Sequence, residues 1–286
     1  MDPDSTPGWP GEPDVAAAGR PNRCERSMLE SLVGMLAGYD PEDLVGLPTD
    51  AVKGASGCGT PVAFSDLLQG EVVLDLGSGA GLDLLLAARK VGPTGTVIGV
   101  DQDEISIDRA RSNIAASGFD KVEVRRASCQ DLPIADRSVD WVISNRGVSL
   151  SVNKAQAFAE IHRVLKPGGR VCLADIVAEG LPEWMPTCGP MVAPSCGVVI
   201  SEQAYVSGLA AAGLADIRHG GRYVFAEPEL TALVRLAGCA DGLTHSAADF
   251  AREAVGGVWS VYFFARKPLE IHQEGDMQDK KKEDSR

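Results

Sequence analysis

A short apolar strand that ends in a glycine-rich turn constrains the fold of this chain more than any other feature. Residues 72–76 are apolar except for Asp75, glycine occupies alternate positions of the turn 77–81, and a second apolar run, 97–100, ends at Asp101. Such a turn lets backbone N–H groups and a helix N-terminus approach a ligand, while an acid ending the next strand can accept hydrogen bonds from ribose hydroxyls. The sequence therefore predicts an α/β domain that binds a nucleotide-sized ligand.

Apolar segments and helical patterns alternate along the middle of the chain. Strands are predicted at 72–76, 97–101, 122–126, 139–144 and 170–176, and helices between them at 103–117 and 154–165. Alternation of this kind predicts a parallel sheet with helices on both faces. We therefore expect a Rossmann-like, doubly wound, mostly parallel sheet, followed by a small C-terminal α+β lobe that ends in a strand at 258–265.

Changes in composition divide the chain into four segments. Residues 1–22 are rich in Pro, Gly and Asp and are expected to be a disordered arm. Residues 23–178 form the predicted ligand-binding domain with its lead-in, and 179–268 form the predicted C-terminal lobe on the acceptor side. The polar residues 269–286 are expected to be a disordered tail. A stretch rich in Pro and Gly at 180–200 can cover the carboxyl ends of the strands.

Composition narrows the class of protein. The formal charge of −13 argues against a nucleic-acid partner, because binding to phosphates requires clustered Lys and Arg. No apolar run approaches the roughly 18 residues of a membrane span, and the acidic N-terminus is unlike a signal peptide. Seven cysteines in a chain of 286 residues favour reduced thiols over a disulfide framework. We expect a cytoplasmic protein with a small-molecule ligand and no nucleic-acid or membrane partner.

The spacing of the glycines indicates which ligand the turn binds. Position 82 is Leu, so the dinucleotide pattern G-x-G-x-x-G is not met, and no Lys-Ser or Lys-Thr follows to make a phosphate loop. The pattern instead resembles motif I of class I S-adenosylmethionine-dependent methyltransferases. Three further segments resemble the same family at matching distances: 127–133 after strand three, 138–145 as strand four, and 165–171 before strand five.

This resemblance implies S-adenosylmethionine as the cofactor and assigns residues to it. In the family the glycine turn lies against the methionine part of the cofactor, the acid ending strand two takes the ribose, and the loop after strand three flanks the adenine. The expected cofactor-binding residues are Asp75, Gly77, Ser78, Gly79, Gly81, Asp83, Asp101, Gln102, Ser128, Cys129 and Asn145. For Cys129, ordinary packing fits the sequence equally well.

The lead-in resembles one branch of the family, the bacterial arsenite methyltransferases. These enzymes carry a similar tyrosine-acid stretch, here 38–44, and a G-C-G-x-P segment, here 57–61, and the resemblance extends from 38 to 267. Trivalent arsenic is soft and is held by thiolates, which leaves its lone pair to attack the methyl group in line. The resemblance implies that Cys58 and a loop cysteine, Cys196 or the nearby Cys188, bind arsenic(III), and that a thiol reductant supports turnover.

One residue departs from that pattern. The family has a cysteine directly after the Asn that ends strand four, whereas this chain has Arg146 after Asn145. Cys58 and a loop cysteine can still hold an arsenical with two exchangeable ligands, such as a monomethylated species. Alternatively, Arg146 binds a carboxylate or phosphonate bidentately, which implies a different acceptor. It can also be an ordinary solvated residue at a strand end.

Three functions follow from these observations. The first is methyl transfer from S-adenosylmethionine to a soft nucleophile, arsenite or methylarsenite, with Cys58, Cys196 and Arg146 as the candidate catalytic residues. The second is a related enzyme that methylates S, O, N or C of another small molecule, such as a natural product, or transfers another arm of the cofactor. The third is a protein that binds an arsenical or the cofactor as a sensor, without a reaction.

Overall fold

A computed structural model describes residues 38–55, 57–181, 199–236 and 247–270. The predicted N-terminal arm, most of the predicted C-terminal tail and nearly all of the loop at 180–200 lie outside these residues. Cys188 and Cys196 lie outside them as well.

Seven strands form one sheet. Their bounds are β1 Val72–Leu76, β2 Thr96–Asp101, β3 Val122–Arg126, β4 Val139–Asn145, β5 Leu165–Ala178, β6 Ala215–Val224 and β7 Val258–Arg266. The order across the sheet is β3-β2-β1-β4-β5-β7-β6. Strands β1 to β5 are parallel, and β7 is antiparallel to both of its neighbours. The chain therefore changes direction across the sheet between β1 and β4, and in open α/β sheets ligands bind at such a point.

Helices cover both faces of this sheet. Their bounds are α1 Pro41–Leu44, α2 Thr49–Lys53, α3 Leu82–Val91, α4 Glu104–Ser117, α5 Lys154–Val164, α6 Glu202–Ala211, α7 Glu227–Leu236 and α8 Ala247–Ala254. None of the helices in the described part of the chain is long and apolar enough to cross a membrane. Asp103 is the N-cap of α4, and its side chain accepts from the N–H of Ser106. Asn153 is the N-cap of α5, and its side chain accepts from the N–H of Gln156.

Two apolar cores lie on opposite faces of the sheet. Leu74 of β1 belongs to the core that contains residues of α5 and α6, whereas its neighbour Val73 belongs to the core that contains residues of α3 and α4. Successive side chains of a strand point to opposite faces, so a strand covered on both sides is apolar at nearly every position. The strands of this sheet are therefore apolar runs in the sequence because helices cover both faces of the sheet.

The predicted mostly parallel, Rossmann-like sheet is confirmed, and the five predicted central strands are present. Strands β6 and β7, which the sequence assigns to a C-terminal lobe, extend the central sheet. Nine residues of β7, Val258–Arg266, pair with β5. Because β7 lies buried between two strands, its sequence is as apolar as that of the parallel strands.

A buried tyrosine connects α6 to the sheet and permits a stability test. The hydroxyl of Tyr205 donates to Oδ2 of Asp175 at 2.7 Å, and both side chains are fully buried. Tyr205→Phe keeps the ring stacked on Phe263 but leaves a buried carboxyl without this donor, so we expect the free energy of unfolding to fall by about 1–3 kcal/mol. Urea denaturation measures this change. The exposed Tyr223→Phe is the control, with an expected change below about 0.5 kcal/mol, and equal changes in both variants would contradict the prediction.

Candidate functional site

The glycine turn, residues 77–81, lies at the carboxyl edge of the sheet between β1 and β4. Gly77, Gly79 and Gly81 have φ of 75°, 52° and 90°, a conformation that residues with a Cβ rarely adopt. A Cβ on Gly77 would lie 2.7 Å from the Cα of Gly147, the second residue after β4, whereas a Cβ on Gly79 would meet nothing within 4 Å. The turn is therefore packed closely on one side and open at Gly79.

Asp101 ends β2 beside this turn. One carboxylate oxygen accepts from the N–H of Gly79 and the other from the N–H of Asp103, both at 2.9 Å. The acid that the sequence singles out thus braces the glycine turn and the start of α4. An Asp at this position also leaves lone pairs for a ligand, because a carboxylate accepts more than two hydrogen bonds.

Buried polar atoms without partners concentrate next to the turn. Within the described residues, both carboxyl oxygens of Asp75, Oδ1 of Asp83 and the hydroxyl of Ser78 have no hydrogen-bond partner. Burial raises the pKa of Asp75, and the charges of Asp83 and Asp101 raise it further. Buried polar atoms are normally paired, so such a cluster indicates a ligand. Three neighbouring carboxyls favour a ligand that carries positive charge, which fits S-adenosylmethionine with its sulfonium and ammonium groups.

Asp83 connects this cluster to the end of β4. Its Oδ2 accepts from the hydroxyl of Tyr39 at 2.8 Å and from Nδ2 of Asn145 at 3.1 Å. Burial raises the pKa of Asp83 to about 6, although these two hydrogen bonds lower it. Tyr39 belongs to the tyrosine-acid stretch of the lead-in. The sequence analysis identified that stretch by its resemblance to the family, but it did not predict the hydrogen bond between Tyr39 and Asp83.

The Gly-Cys-Gly segment, residues 57–59, lies against the same asparagine. The N–H groups of Cys58 and Gly59 donate to Oδ1 of Asn145 at 2.8 and 3.1 Å. The hydroxyl of Tyr262 in β7 accepts from the N–H of Thr60 at 2.8 Å, which fixes the other end of the segment. Cys58 is therefore held at the carboxyl end of β4, close to the glycine turn. The sequence did not single out Tyr262, because an apolar strand with tyrosine is typical of packing.

The thiol of Cys58 is buried and free. Burial raises its pKa well above the ordinary range, and the charge of Asp175 raises it further, whereas the charge of Arg146 lowers it. The thiol is thus protonated at neutral pH. Arg146 directly follows Asn145, which accepts from the N–H of Cys58, and a Cβ on Gly59 would lie 2.7 Å from the Cβ of Ala174, the residue before Asp175.

Arg146 follows the end of β4 in a strained conformation. Its φ is 71°, and its N–H donates to the carbonyl of Ala174 in β5 at 2.8 Å. A non-glycine residue with positive φ is uncommon outside turns and functional sites. Within the segments that the structure covers, its partly buried guanidinium forms no hydrogen bond or ion pair. It is therefore available to an anion near Cys58.

A second buried polar group lies on the α5 and α6 side of the sheet. Asp175 of β5 is fully buried; burial raises its pKa, while hydrogen bonds from Ser149 and Tyr205 and the charge of Lys154 lower it. Burial raises the pKa of Cys129, which lies after β3, and the charge of Asp175 raises it further. The sequence analysis did not single out Asp175. An acid inside the apolar run of β5 was the feature that could have identified it.

The structure brings together only some of the predicted site residues. Cys58, Asp83 and Asn145 share hydrogen bonds, and Asp101 contacts the glycine turn. Gln102 is exposed after β2, and the hydroxyl of Ser128 accepts from the N–H of Gln130. Cys188 and Cys196 lie outside the described residues, so the expected thiol ligand set stays a prediction. The described side chains form no cluster of three acids, histidines or cysteines suited to a metal ion.

Cofactor affinity is expected to depend on the ionisation of Asp83. Above about pH 6 this carboxyl is ionised and attracts a cationic ligand; below that pH it is protonated and loses the attraction. The affinity for S-adenosylmethionine should therefore fall as the pH decreases from 7 to 5. Isothermal titration calorimetry across this range measures the change. Asp83→Asn should bind more weakly at pH 7 and lose the pH dependence, and an unaltered profile in this variant would contradict the assignment.

Comparisons with known proteins agree with this geometry. A methyltransferase domain family matches residues 67–211. The chain is 49% identical over 140 residues to an arsenite methyltransferase of Halobacterium salinarum, which covers 49% of this chain and 36% of that protein. It is 37% identical over 114 residues to a demethylmenaquinone methyltransferase of Symbiobacterium thermophilum, covering 39% of this chain and 45% of that protein. The chain thus spans less than half the length of these curated relatives.

The fold is also similar to solved structures. An arsenic(III) S-adenosylmethionine methyltransferase from Chlamydomonas reinhardtii aligns with a TM-score of 0.62 at 24% identity, covering 81% of this chain and 73% of that one. The expected class I fold and the expected cofactor, S-adenosylmethionine, are confirmed. The acceptor is not decided by these names, because they include quinone and arsenic methyltransferases alike. With its family match over half of its length and its β3-β2-β1-β4-β5-β7-β6 sheet, the chain belongs to the class I S-adenosylmethionine-dependent methyltransferases.

Proposed function

We propose that this protein transfers a methyl group from S-adenosylmethionine to trivalent arsenic, as arsenite or methylarsenite, held by the thiol of Cys58. The observation that carries the proposal is the position of this cysteine. Two backbone hydrogen bonds to Asn145 hold Cys58 at the end of β4, beside the cluster of carboxyls and the glycine turn. The arsenite methyltransferase of H. salinarum, at 49% identity, supports the same acceptor.

The glycine turn and the neighbouring carboxyls are proposed to bind and orient S-adenosylmethionine. The turn 77–81 is proposed to lie against the methionine part of the cofactor and Asp101 to hold the ribose, while Asp75 and Asp83 face the positive charge of the cofactor. When bound, S-adenosylmethionine supplies a methyl group that is already activated by the sulfonium. Alignment of donor and nucleophile therefore provides most of the rate, and no strong base is required.

Cys58 supplies the soft ligand on the acceptor side. Because burial keeps its thiol protonated, capture of arsenic forms an As–S bond while the thiol proton leaves with a hydroxide of the arsenical as water. With the cofactor bound, the arsenic lone pair would form the new As–C bond as the S–CH₃ bond breaks, and the electrons of that bond would remain on the cofactor sulfur. Arsenic becomes formally pentavalent, and a thiol reductant returns it to the trivalent state.

Mass spectrometry with methyl-labelled S-adenosylmethionine tests the proposal. The protein is incubated with the labelled cofactor, a thiol reductant and either arsenite or methylarsenite, beside a control without protein. Label in a methylated arsenical is the expected result. If label is transferred only in the incubation with methylarsenite, we would attribute the restricted choice of substrate to Arg146, which replaces the third cysteine of the family. No labelled arsenical, with cofactor binding demonstrated, would refute the proposal.

Arg146 favours a second candidate function. Its guanidinium lies near Cys58 and is unpaired within the described residues, so it can bind a carboxylate or phosphonate bidentately. The protein would then methylate another small molecule that carries an anionic group. Labelled cofactor with a set of carboxylate-bearing acceptors tests this function: Arg146→Gln should raise KM for such an acceptor and leave the cofactor Kd unchanged. If the cofactor binds but neither arsenicals nor carboxylate-bearing acceptors become labelled, the result would favour the third function, a sensor that catalyses no reaction.

A further inference from the structure

The side-chain amide of Asn145 makes an unusual number of contacts with the protein itself. Its oxygen accepts from the N–H groups of Cys58 and Gly59, and its nitrogen donates to the carbonyl of Gly59 at 2.6 Å. The same nitrogen lies 3.0 Å from the hydroxyl of Tyr39 and 3.1 Å from Oδ2 of Asp83. One amide thus joins β4, the Gly-Cys-Gly segment and the cofactor side.

These contacts use the full hydrogen-bonding capacity of the amide. An asparagine side chain has two donor hydrogens and an oxygen with two lone pairs. Two N–H groups occupy the oxygen, and three acceptors surround the nitrogen. In this arrangement Asn145 has nothing left for a ligand, which differs from the expectation, based on the family resemblance, that it binds the cofactor.

Gly57 is the counterpart of this amide. A Cβ at Gly57 would lie 2.1 to 2.2 Å from three atoms of the Asn145 side-chain amide, a separation that real Cβ atoms essentially never show. The close approach of the amide is by itself enough to require glycine at this position. Gly57 and Asn145 therefore fit each other as a pair.

We propose that Asn145 is a positioning residue, which holds the thiol of Cys58 at the end of β4 and does not itself bind the cofactor. Gly57 permits this contact. The importance of a fixed Cys58 for catalysis rests on the proposed function, but the positioning itself does not depend on the acceptor. It is therefore tested without any arsenical.

The rate at which iodoacetamide modifies Cys58 reports its position. The full-length protein is alkylated, digested, and the Cys58 and Cys172 peptides are quantified by mass spectrometry. Cys172 is fully buried in β5 and monitors general unfolding in the same sample. Asn145→Ala should accelerate alkylation of Cys58 by on the order of tenfold, because two backbone hydrogen bonds that hold its segment are lost, while Cys172 stays protected.

A matched variant separates positioning from general stability. Asn113 is another buried asparagine, which donates to the carbonyl of Ala80. Asn113→Ala should lower stability without selectively exposing Cys58. The Kd for S-adenosylmethionine is measured in parallel and should rise less in Asn145→Ala than in Asp101→Ala.

A double-mutant cycle tests the pairing with Gly57. Gly57→Ala alone should accelerate alkylation of Cys58, because the added methyl group displaces the amide. In the Asn145→Ala background the same methyl group meets no amide and should have little further effect, so the two changes are expected to be strongly non-additive. Additive effects, or an Asn145→Ala variant that keeps Cys58 protected and weakens cofactor binding as much as Asp101→Ala does, would overturn the proposal.

Discussion

Replacing Cys58 with serine is expected to abolish methylation of arsenicals while leaving cofactor binding intact. Serine has nearly the same shape and keeps the backbone hydrogen bonds to Asn145, so the segment should retain its position. Its hydroxyl oxygen is a hard ligand that binds arsenic(III) no better than the hydroxides of arsenite do, so it does not retain the arsenical as a thiolate does. Loss of the ligand also removes the alignment of arsenic with the methyl group, so we expect the rate to fall by on the order of 100-fold or more.

The matched control for this variant is Cys172→Ser. Cys172 is also buried and free, and it lies within β5 among apolar side chains. This second variant should lose some stability and keep most of its activity per folded molecule. The measurement is the labelled-methyl assay, with the Kd for S-adenosylmethionine determined by calorimetry for each variant. Full arsenical methylation by Cys58→Ser would exclude this thiol as the acceptor ligand. Methylation of a different acceptor that survives in Cys58→Ser would favour the second candidate function.

The central sheet was predictable because the burial of each strand is visible in the apolar pattern of its own residues. A strand buried on both faces must be apolar at nearly every position, and β1, β2 and β4 are apolar at most of theirs. A helix must follow each parallel strand to return the chain, so the alternation identifies the fold class. Asp75 and Asp101 stood out for the same reason, since an acid within or ending an apolar run is unusual.

The contacts between Cys58, Asn145 and Asp83 were beyond prediction from residue patterns. The hydrogen bond from Cys58 to Asn145 joins residues 87 positions apart, that from Tyr39 to Asp83 spans 44 positions, and that from Thr60 to Tyr262 spans 202. No local periodicity encodes such pairs, because they depend on how the lead-in packs over the completed sheet. For this reason the sequence indicated both Cys58 and Asn145 as site residues, but it assigned the asparagine to the cofactor and did not reveal its contact with the Cys58 segment.

The attachment of the last two strands escaped prediction for a related reason. The run at 258–265 is recognisable as a strand, but nothing in it specifies its partner. An antiparallel strand can join a sheet edge without a helical crossover, so a separate lobe and an extended sheet produce the same pattern of apolar residues. The consequence for the site is direct, because β7 carries Tyr262, which fixes the end of the Gly-Cys-Gly segment.

The open side of the glycine turn, at Gly79, is where we expect S-adenosylmethionine to lie. Gly79→Ala should weaken binding of S-adenosylmethionine on the order of tenfold or more, with only a small loss of stability. In the structure described here a Cβ at Gly79 would meet nothing within 4 Å, so the protein alone has room for it. If the cofactor lies against the turn, the same methyl group occupies its space, and overpacking of that kind costs about 1–3 kcal/mol.

Gly118→Ala provides the control for the backbone conformation. Gly118 ends α4 with φ of 70°, close to the 52° of Gly79, and an added Cβ would likewise meet nothing within 4 Å. Both variants place a Cβ on a left-handed backbone, so each should lose about 1 kcal/mol of stability. Only Gly79→Ala should also raise the Kd for S-adenosylmethionine, measured by calorimetry at constant pH. Equal affinities in the two variants would mean that the cofactor does not contact the turn at Gly79. A selective loss would locate the cofactor at the open side of the turn, where the Cβ added by Gly79→Ala would lie.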